Sequence, residues 1–167
     1  MRKPNLFLET SVFGFYYDEM EVNRYKKEAT RQLFSQIKMG FFEAYIGEIT
    51  VVELERTSNI SLKSLFFDLI RDFGVEVVRL DKQKREEVEF LTKRYLEEGV
   101  IPSDKIDDGI HIATMVVEPW LEVLVTWNCQ HIANINIERR LKAITLENGY
   151  EFNFKIATPE EVIFYGN

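Results

Sequence analysis

Four short stretches of the chain carry the residues whose types and spacing could do chemistry. The first, NLFLETSVFG, is an apolar run that reaches one carboxylate, Glu9, and then two hydroxyls, Thr10 and Ser11. The second, IGEITVVELERT, holds Glu48, Glu53 and Glu55 just beyond the apolar run AYI. The third, PSDKIDDGIHIAT, holds Asp104, Asp107, Asp108 and His111. The fourth, VLVTWNCQHI, places Thr126 and Asn128 at the end of an apolar run. Each stretch has a plain structural explanation of its own. Glu9 reads as the solvated end of a strand. Glu53 reads as an acid favoured by a helix dipole if a helix begins at Thr50, where it would hold the third or fourth position. Asp104 and Asp108 are four apart and share a helix face, as do Asp107 and His111. Asn128 reads as a turn residue. Asp108, however, directly precedes the apolar body GIHIATMVV, and an unpaired carboxylate at the edge of a buried segment is expensive. Taken together, three carboxylates and an amide would make an oxygen-rich nest suited to Mg²⁺ or Mn²⁺.

That convergence depends on the elements that carry the residues. Short apolar runs at Leu6–Leu8, Ala44–Ile46, Val75–Leu80 and Val123–Thr126 read as buried strands, with a weaker one at Phe154–Ala157. Between them, residues Arg24–Met39, Ser61–Phe73 and Asp81–Glu98 have helical periodicity and stop at Gly40, Gly74 and Gly99. Asp81 is a cap for its helix, and Ser103 or Asp104 is a candidate cap for another running through Val117. Strands alternating with helices predict an α/β fold, with a mainly parallel sheet covered on both faces. In such open sheets, sites form at the carboxyl ends of the strands. Glu9 and Asn128 both fall at such ends.

The bulk composition narrows the function classes. The 167 residues carry no internal repeat or low-complexity linker, which suggests one domain over 1–167. No apolar run is long enough to cross a bilayer, and MRKPNLFLE lacks the apolar core of a signal peptide. The single cysteine, Cys129, has no internal disulfide partner, so a cytoplasmic location is expected. With 28 acids against 21 bases, the net charge of −7 argues against broad charge-driven binding of nucleic acid. It leaves room for a nuclease whose carboxylates hold cations that in turn meet phosphate. No GxGxxG or GxxxxGK[ST] is present, which disfavours dinucleotide and P-loop readings.

The ordered set of motifs resembles the PIN-domain proteins, the fold of VapC-type toxin ribonucleases in type II toxin–antitoxin systems. LETSVFG is similar to the first-strand motif, ITVVEL to the second with Glu53 as its glutamate, DDGIHIAT to the helix carrying the third acid at Asp108, and LVTWNCQHI to the segment after the fourth strand. The resemblance implies a three-layer α/β/α sandwich around a parallel sheet and a metal-dependent ribonuclease site. It implies Glu9, Glu53 and Asp108 as ligands of Mg²⁺ or Mn²⁺, with Asn128 orienting a water or phosphate oxygen. Thr10 and Thr126 would support those ligands, and Asp104 and Asp107 would lie farther out toward a second ion. An RNA substrate, a cognate antitoxin and a homodimer are the implied partners, with no membrane. Two positions depart from the pattern. Glu9 stands where the family has Asp, one methylene shorter, and a displacement of about 1 Å can cost roughly 10²-fold in rate. Asn128 brings one charge fewer than an Asp would.

A weakened or inactive PIN-fold protein that binds a partner is therefore the second reading. A haloacid-dehalogenase-type phosphatase wants Asp-x-Asp after its first strand, and Glu9-Thr10-Ser11 does not supply it. His111, between Ile110 and Ile112, reads as a hydrogen-bonded, partly buried residue rather than a base. Cys129 and His131 make a poor zinc set. The aromatic stretch FGFYYDEM reads as a helix packed on the sheet, with an exposed partner-binding patch as the alternative.

Overall fold

The fold comes from a computed structural model that describes residues 2–165. Five parallel strands form one sheet: β1 (Asn5–Leu8), β2 (Glu43–Gly47), β3 (Glu76–Val78), β4 (Val123–Val125) and β5 (Lys155–Ala157), in the order β3-β2-β1-β4-β5. Among the described residues, eight α-helices connect and cover them: α1 (Ser11–Tyr16), α2 (Arg24–Lys38), α3 (Glu48–Glu55), α4 (Ile60–Asp72), α5 (Lys82–Glu97), α6 (Ile106–Val117), α7 (Ile135–Glu147) and α8 (Pro159–Val162). The result is a three-layer α/β/α sandwich around an all-parallel sheet. Among the described residues, no helix is long and apolar enough to cross a membrane.

The central strand explains the layering. β1 alternates its side chains between two cores, as a period of two requires. Phe7 packs with Tyr95, Ile112, Leu124 and Leu141 on one face. Leu6 and Leu8 pack with Phe13, Leu33, Ile46 and Phe66 on the other. Both faces are therefore buried, which is why the strands read as continuous apolar runs. The aromatic stretch after Glu9 joins the second core: Phe13 is fully buried, and Tyr16 meets Phe34 edge-on with centroids 5.3 Å apart.

Several helix ends form as expected from sequence. The Asp81 carboxylate accepts from the Lys84 N–H at 2.9 Å, and α2 stops at Gly40, whose φ of 84° suits glycine. Two starts differ from the expectation. α6 begins at Ile106 with Lys105 as its cap residue and no capping side chain, because Pro102 to Lys105 form a turn closed by Lys105 N–H to Pro102 O (2.9 Å). α3 begins at Glu48 rather than Thr50, so Glu53 lies in its second turn, where the helix dipole gives it little support.

Two glycines hold the site-bearing helices close to the rest of the molecule. At Gly47, where β2 passes into α3, a Cβ would come within 2.9 Å of the buried Phe7 ring. At Gly109 in α6, a Cβ would come within 3.1 Å of Thr92 Cγ2 on α5. A side chain at Gly47 would force a shift against the Phe7 ring, and one at Gly109 would require Thr92 to give by a few tenths of an ångström. β2 lies on one side of β1 and β4 on the other, so the strand order reverses at β1. The crevice at that switch point, beyond the carboxyl ends of the strands, is where open α/β sheets place their ligands.

Candidate metal centre

The side chains predicted as site residues arrive at this crevice from four directions. Glu9 extends β1 by one residue, its N–H donating to Val125 O at 2.9 Å. Glu53 comes from α3, Asp108 and His111 from α6, and Thr126 and Asn128 from the chain leaving β4. A groove of about 550 Å³ opens there, lined by Glu53, Asp104, Asp107, Asp108, Asn128 and His131 among others.

Glu9 is buried and held by one of its two oxygens. Oε2 accepts from the Ser11 N–H at 3.0 Å, from the Ser11 hydroxyl, and from the Thr126 hydroxyl at 2.8 Å. No described donor reaches Oε1. Ser11 Oγ in turn accepts from the Trp127 N–H (3.0 Å), and Thr126 Oγ1 accepts from the Asn128 N–H (2.9 Å). The clamp fixes the extra methylene of Glu9 in one place and leaves Oε1 without a donor.

Glu53 and His111 form the tightest pair. Glu53 Oε1 accepts from the Thr10 hydroxyl at 2.8 Å and lies 2.8 Å from His111 Nε2. A carboxylate only accepts, so Nε2 carries the proton. His111 Nδ1 is buried with no partner among the described residues. Burial pushes Glu53 up, but the His111 hydrogen bond and charge, with Thr10 and Arg56, leave it below the usual carboxylate value. Burial pushes His111 down, and its hydrogen bond to Glu53 with the charges of Glu9, Glu53 and Asp108 overcomes this and raises it. Ligand atoms of Glu9, Glu53 and His111 all lie within 4.8 Å of one another.

Asp108 is also buried, and burial together with the nearby charge of Glu9 pushes its carboxyl up to about 6. The Asn128 Nδ2 donates to its Oδ2 at 3.1 Å. The orientation of that amide is fixed independently: Asn128 Oδ1 accepts the His131 N–H at 3.0 Å, so the nitrogen must face Asp108. The two outer acids are placed differently. Asp104 is exposed in the turn before α6, while Asp107 accepts from Arg56 at 2.8 Å.

The geometry thus brings Glu9, Glu53, Asp108, Asn128, Thr10 and Thr126 to one crevice. It adds two residues that sequence reasoning did not assign to it. His111 is fully buried rather than partly, one helical turn after Asp108, and a histidine three residues after an acid at the head of an apolar helix was a readable signal. Ser11 had only its place two residues after Glu9 to mark it. Glu9, Glu53 and Asp108 offer the oxygen donors that suit a hard divalent cation, although Asp108 stands outside the Glu9, Glu53 and His111 group whose ligand atoms lie within 4.8 Å of one another. Three buried or half-buried carboxylates share the crevice with one buried imidazole, and an oxygen-rich cluster of this kind is stabilised by a hard divalent ion.

No family model matches the sequence, and no curated protein matches it. Among solved structures, the fold is similar to a chain in the crystal structure of VapBC2 from Rickettsia felis bound to a DNA fragment from their promoter. The match covers 92% of this chain and 98% of that chain, with a TM-score of 0.58 and 13% identity. The likeness is one of fold, and it gives this chain a PIN-like α/β architecture.

Proposed function

We propose that the chain is a metal-dependent endoribonuclease of the PIN type, a hydrolase acting on phosphodiester bonds. The observation that carries the reading is the convergence of Glu9, Glu53 and Asp108, from three separate elements, on the switch-point crevice. Glu9 Oε1, Glu53 and Asp108 would hold Mg²⁺ or Mn²⁺. When bound, such an ion makes a water more acidic and offsets charge on the attacked phosphate. The chain's own residues do the rest. Ser11 and Thr126 hold Glu9 in one rotamer, Thr10 and His111 hold Glu53, and Asn128 orients Asp108 while lying in the groove that would take the phosphate. Asp104 and Asp107 belong to the outer wall, where Asp107 Oδ2 accepts from Arg56 and Oδ1 would be the atom that reaches a second ion.

The similar solved structure is of a two-component assembly, and with the motif resemblance it supports an antitoxin-type partner and a VapC-like role. A homodimer, a single domain and a cytoplasmic setting complete the proposal.

The test is cleavage of single-stranded RNA by purified protein with Mg²⁺ and with Mn²⁺, beside Asp108→Asn. Metal-dependent cleavage that falls at least ~100-fold in the variant is expected. Equal activity in the two proteins, or none with either metal, overturns it.

A second reading has its own supporting observation. His111 Nε2–H already donates to Glu53, so the cluster can hold together through its own hydrogen bonds in place of a metal. The chain would then be a binding protein without catalysis. Calorimetric titration with Mn²⁺ separates the two: heat of binding that disappears in Glu53→Gln supports the enzyme, and no heat supports the binding protein.

A further inference from the structure

The acidic groove is lined by carboxylates, amides, Lys105 and His131, with no phenyl, phenol or indole ring among them. Nothing there offers a broad face for a nucleobase. Such faces lie at the same rim of the sheet, beside Trp127. The Trp127 backbone is fastened into the site through Ser11 Oγ, and its neighbours Thr126 and Asn128 bond Glu9 and Asp108. Its buried indole Nε1 donates to Thr30 at 2.8 Å. Phe15 of α1 and Tyr25 of α2 stand edge-on to the indole, with centroids 5.9 and 6.2 Å away. Lys26 Nζ lies 4.7 Å from the Phe15 centroid, 5.6 Å from that of Trp127 and 6.0 Å from that of Tyr25. The chain order puts this cluster at the carboxyl rim. α1 leaves the end of β1, and α2 must start at that rim to run back to the parallel β2.

Around the first turns of α2 the charges single out Lys26; Lys38, at the opposite end of the helix, lies over Phe73. Arg24 pairs with Glu21 and Glu28, Lys27 pairs with Glu19, and Arg31 donates to Tyr16 O while covering the Tyr16 ring. Among the described residues, Lys26 Nζ has no carboxylate or carbonyl partner and rests only against π faces. Its N–H donors are therefore available to an anion, in a chain of net charge −7. Tyr25 beside it is 55% exposed, and its ring is the most loosely covered of the three.

We propose that Tyr25 and Lys26, backed by Phe15 and Trp127, form a nucleotide subsite for single-stranded RNA: a base stacks on Tyr25 and Lys26 takes the adjoining phosphate. The proposal rests on the ribonuclease reading and adds the place where the substrate is gripped. The physical need is plain. A crevice rich in carboxylates repels a polyanion, and stacking with one cation close by offsets that repulsion. Ring stacking tolerates any base but requires one that is unpaired.

The test uses the Asp108→Asn protein, which should bind without cutting, and a fluorescein-labelled single-stranded RNA of about 12 nucleotides, a length within the usual site sizes. Fluorescence anisotropy is read with Mg²⁺ present at several salt concentrations. Adding Tyr25→Ala is expected to weaken binding roughly tenfold, while Tyr25→Phe keeps it. Adding Lys26→Ala is expected to weaken binding and to lower the slope of log K against log salt by about 0.7. The same sequence as a duplex is expected to bind more weakly than the single strand. Melting temperatures of the variants, followed by circular dichroism, check that each remains folded. Unchanged affinity in both alanine variants, or equal binding of the duplex, overturns the subsite while leaving metal-dependent cleavage by the wild-type protein to stand. No binding of either RNA by the Asp108→Asn protein, with no cleavage by the wild type, overturns both.

Discussion

Two grooves of nearly equal size lie on opposite sides of the α3–α6 pair. One is the acidic crevice of about 550 Å³; the other, about 530 Å³, is lined by Ile49, Val52, Leu96, Ile106 and Ile110, with the Glu48–Arg85 ion pair among its walls. α3 and α6 contribute to both through adjacent residues, and α5 lines the apolar one as well. Val52 faces the apolar groove and Glu53 the acidic one, and Ile106 and Ile110 alternate with Asp107, Asp108 and His111. Volume therefore does not distinguish the two. What does is the cost of the contents: apolar side chains lining a groove need no partner, whereas buried carboxylates do. The acidic side is the one that needs a ligand to explain it.

The sharpest way to break the contrast is to alter neighbours that face opposite grooves. Glu53→Gln is expected to lower RNA cleavage by at least ~100-fold, while Val52→Ala changes it less than about twofold, both read as initial rates under saturating Mn²⁺. Similar losses in both would show that the helix, and not the carboxylate, matters. A smaller effect is expected one layer out. Thr126→Val removes a donor to Glu9 and the acceptor for the Asn128 N–H, and should weaken Mn²⁺ binding about 10–100-fold by calorimetry. An unchanged affinity would mean that Glu9 needs no clamp.

The smallest expected effect is on the stability of the metal-free protein, and its sign follows from the three titrating groups. The folded-state value for Asp108, about 6, lies above its ordinary 3.8, so stability falls as pH rises from about 4 through 6. His111 is raised above 6.5, so its contribution is complete below 6.5 and is lost as pH climbs through the raised value. Glu53 is lowered below 4.5, so its contribution is present above 4.5 and is lost as pH falls through the depressed value. Urea unfolding should therefore show stability declining from about pH 5 toward pH 8. Asp108→Asn should recover on the order of 1–2 kcal/mol at pH 8. A flat profile, or a variant less stable than wild type at pH 8, would contradict this account of the cluster.

The sheet was legible in the sequence because its strands are buried on both faces and read as apolar runs. α5 was legible through Asp81 and Gly99. α7 was not, although Asn134 caps it by accepting from Asn136 and Ile137 N–H groups. Its exposed Ile135 and the charged run that follows blur the apolar stripe formed by Leu141 and Ile144. The site was legible where a carboxylate interrupts an apolar run, as at Glu9 and Asp108. It was illegible where the partner is a tertiary one. Nothing near His111 in sequence points to Glu53, 58 positions away. The helix-dipole explanation for Glu53 depended on a start at Thr50 that the chain does not use, since α3 begins two residues earlier at Glu48.

The order of the strands has a consequence for how the protein is made. β1 is first in the chain but central in the sheet, and β4, which completes the other wall of the crevice, follows more than a hundred residues later. A chain emerging from the ribosome at 5–20 residues per second thus carries Glu9 for on the order of ten seconds before Thr126 and Asn128 exist to hold it and its neighbours. During that interval the acids belong to separate fragments. Synthesis itself keeps the crevice unassembled until the fourth strand is out.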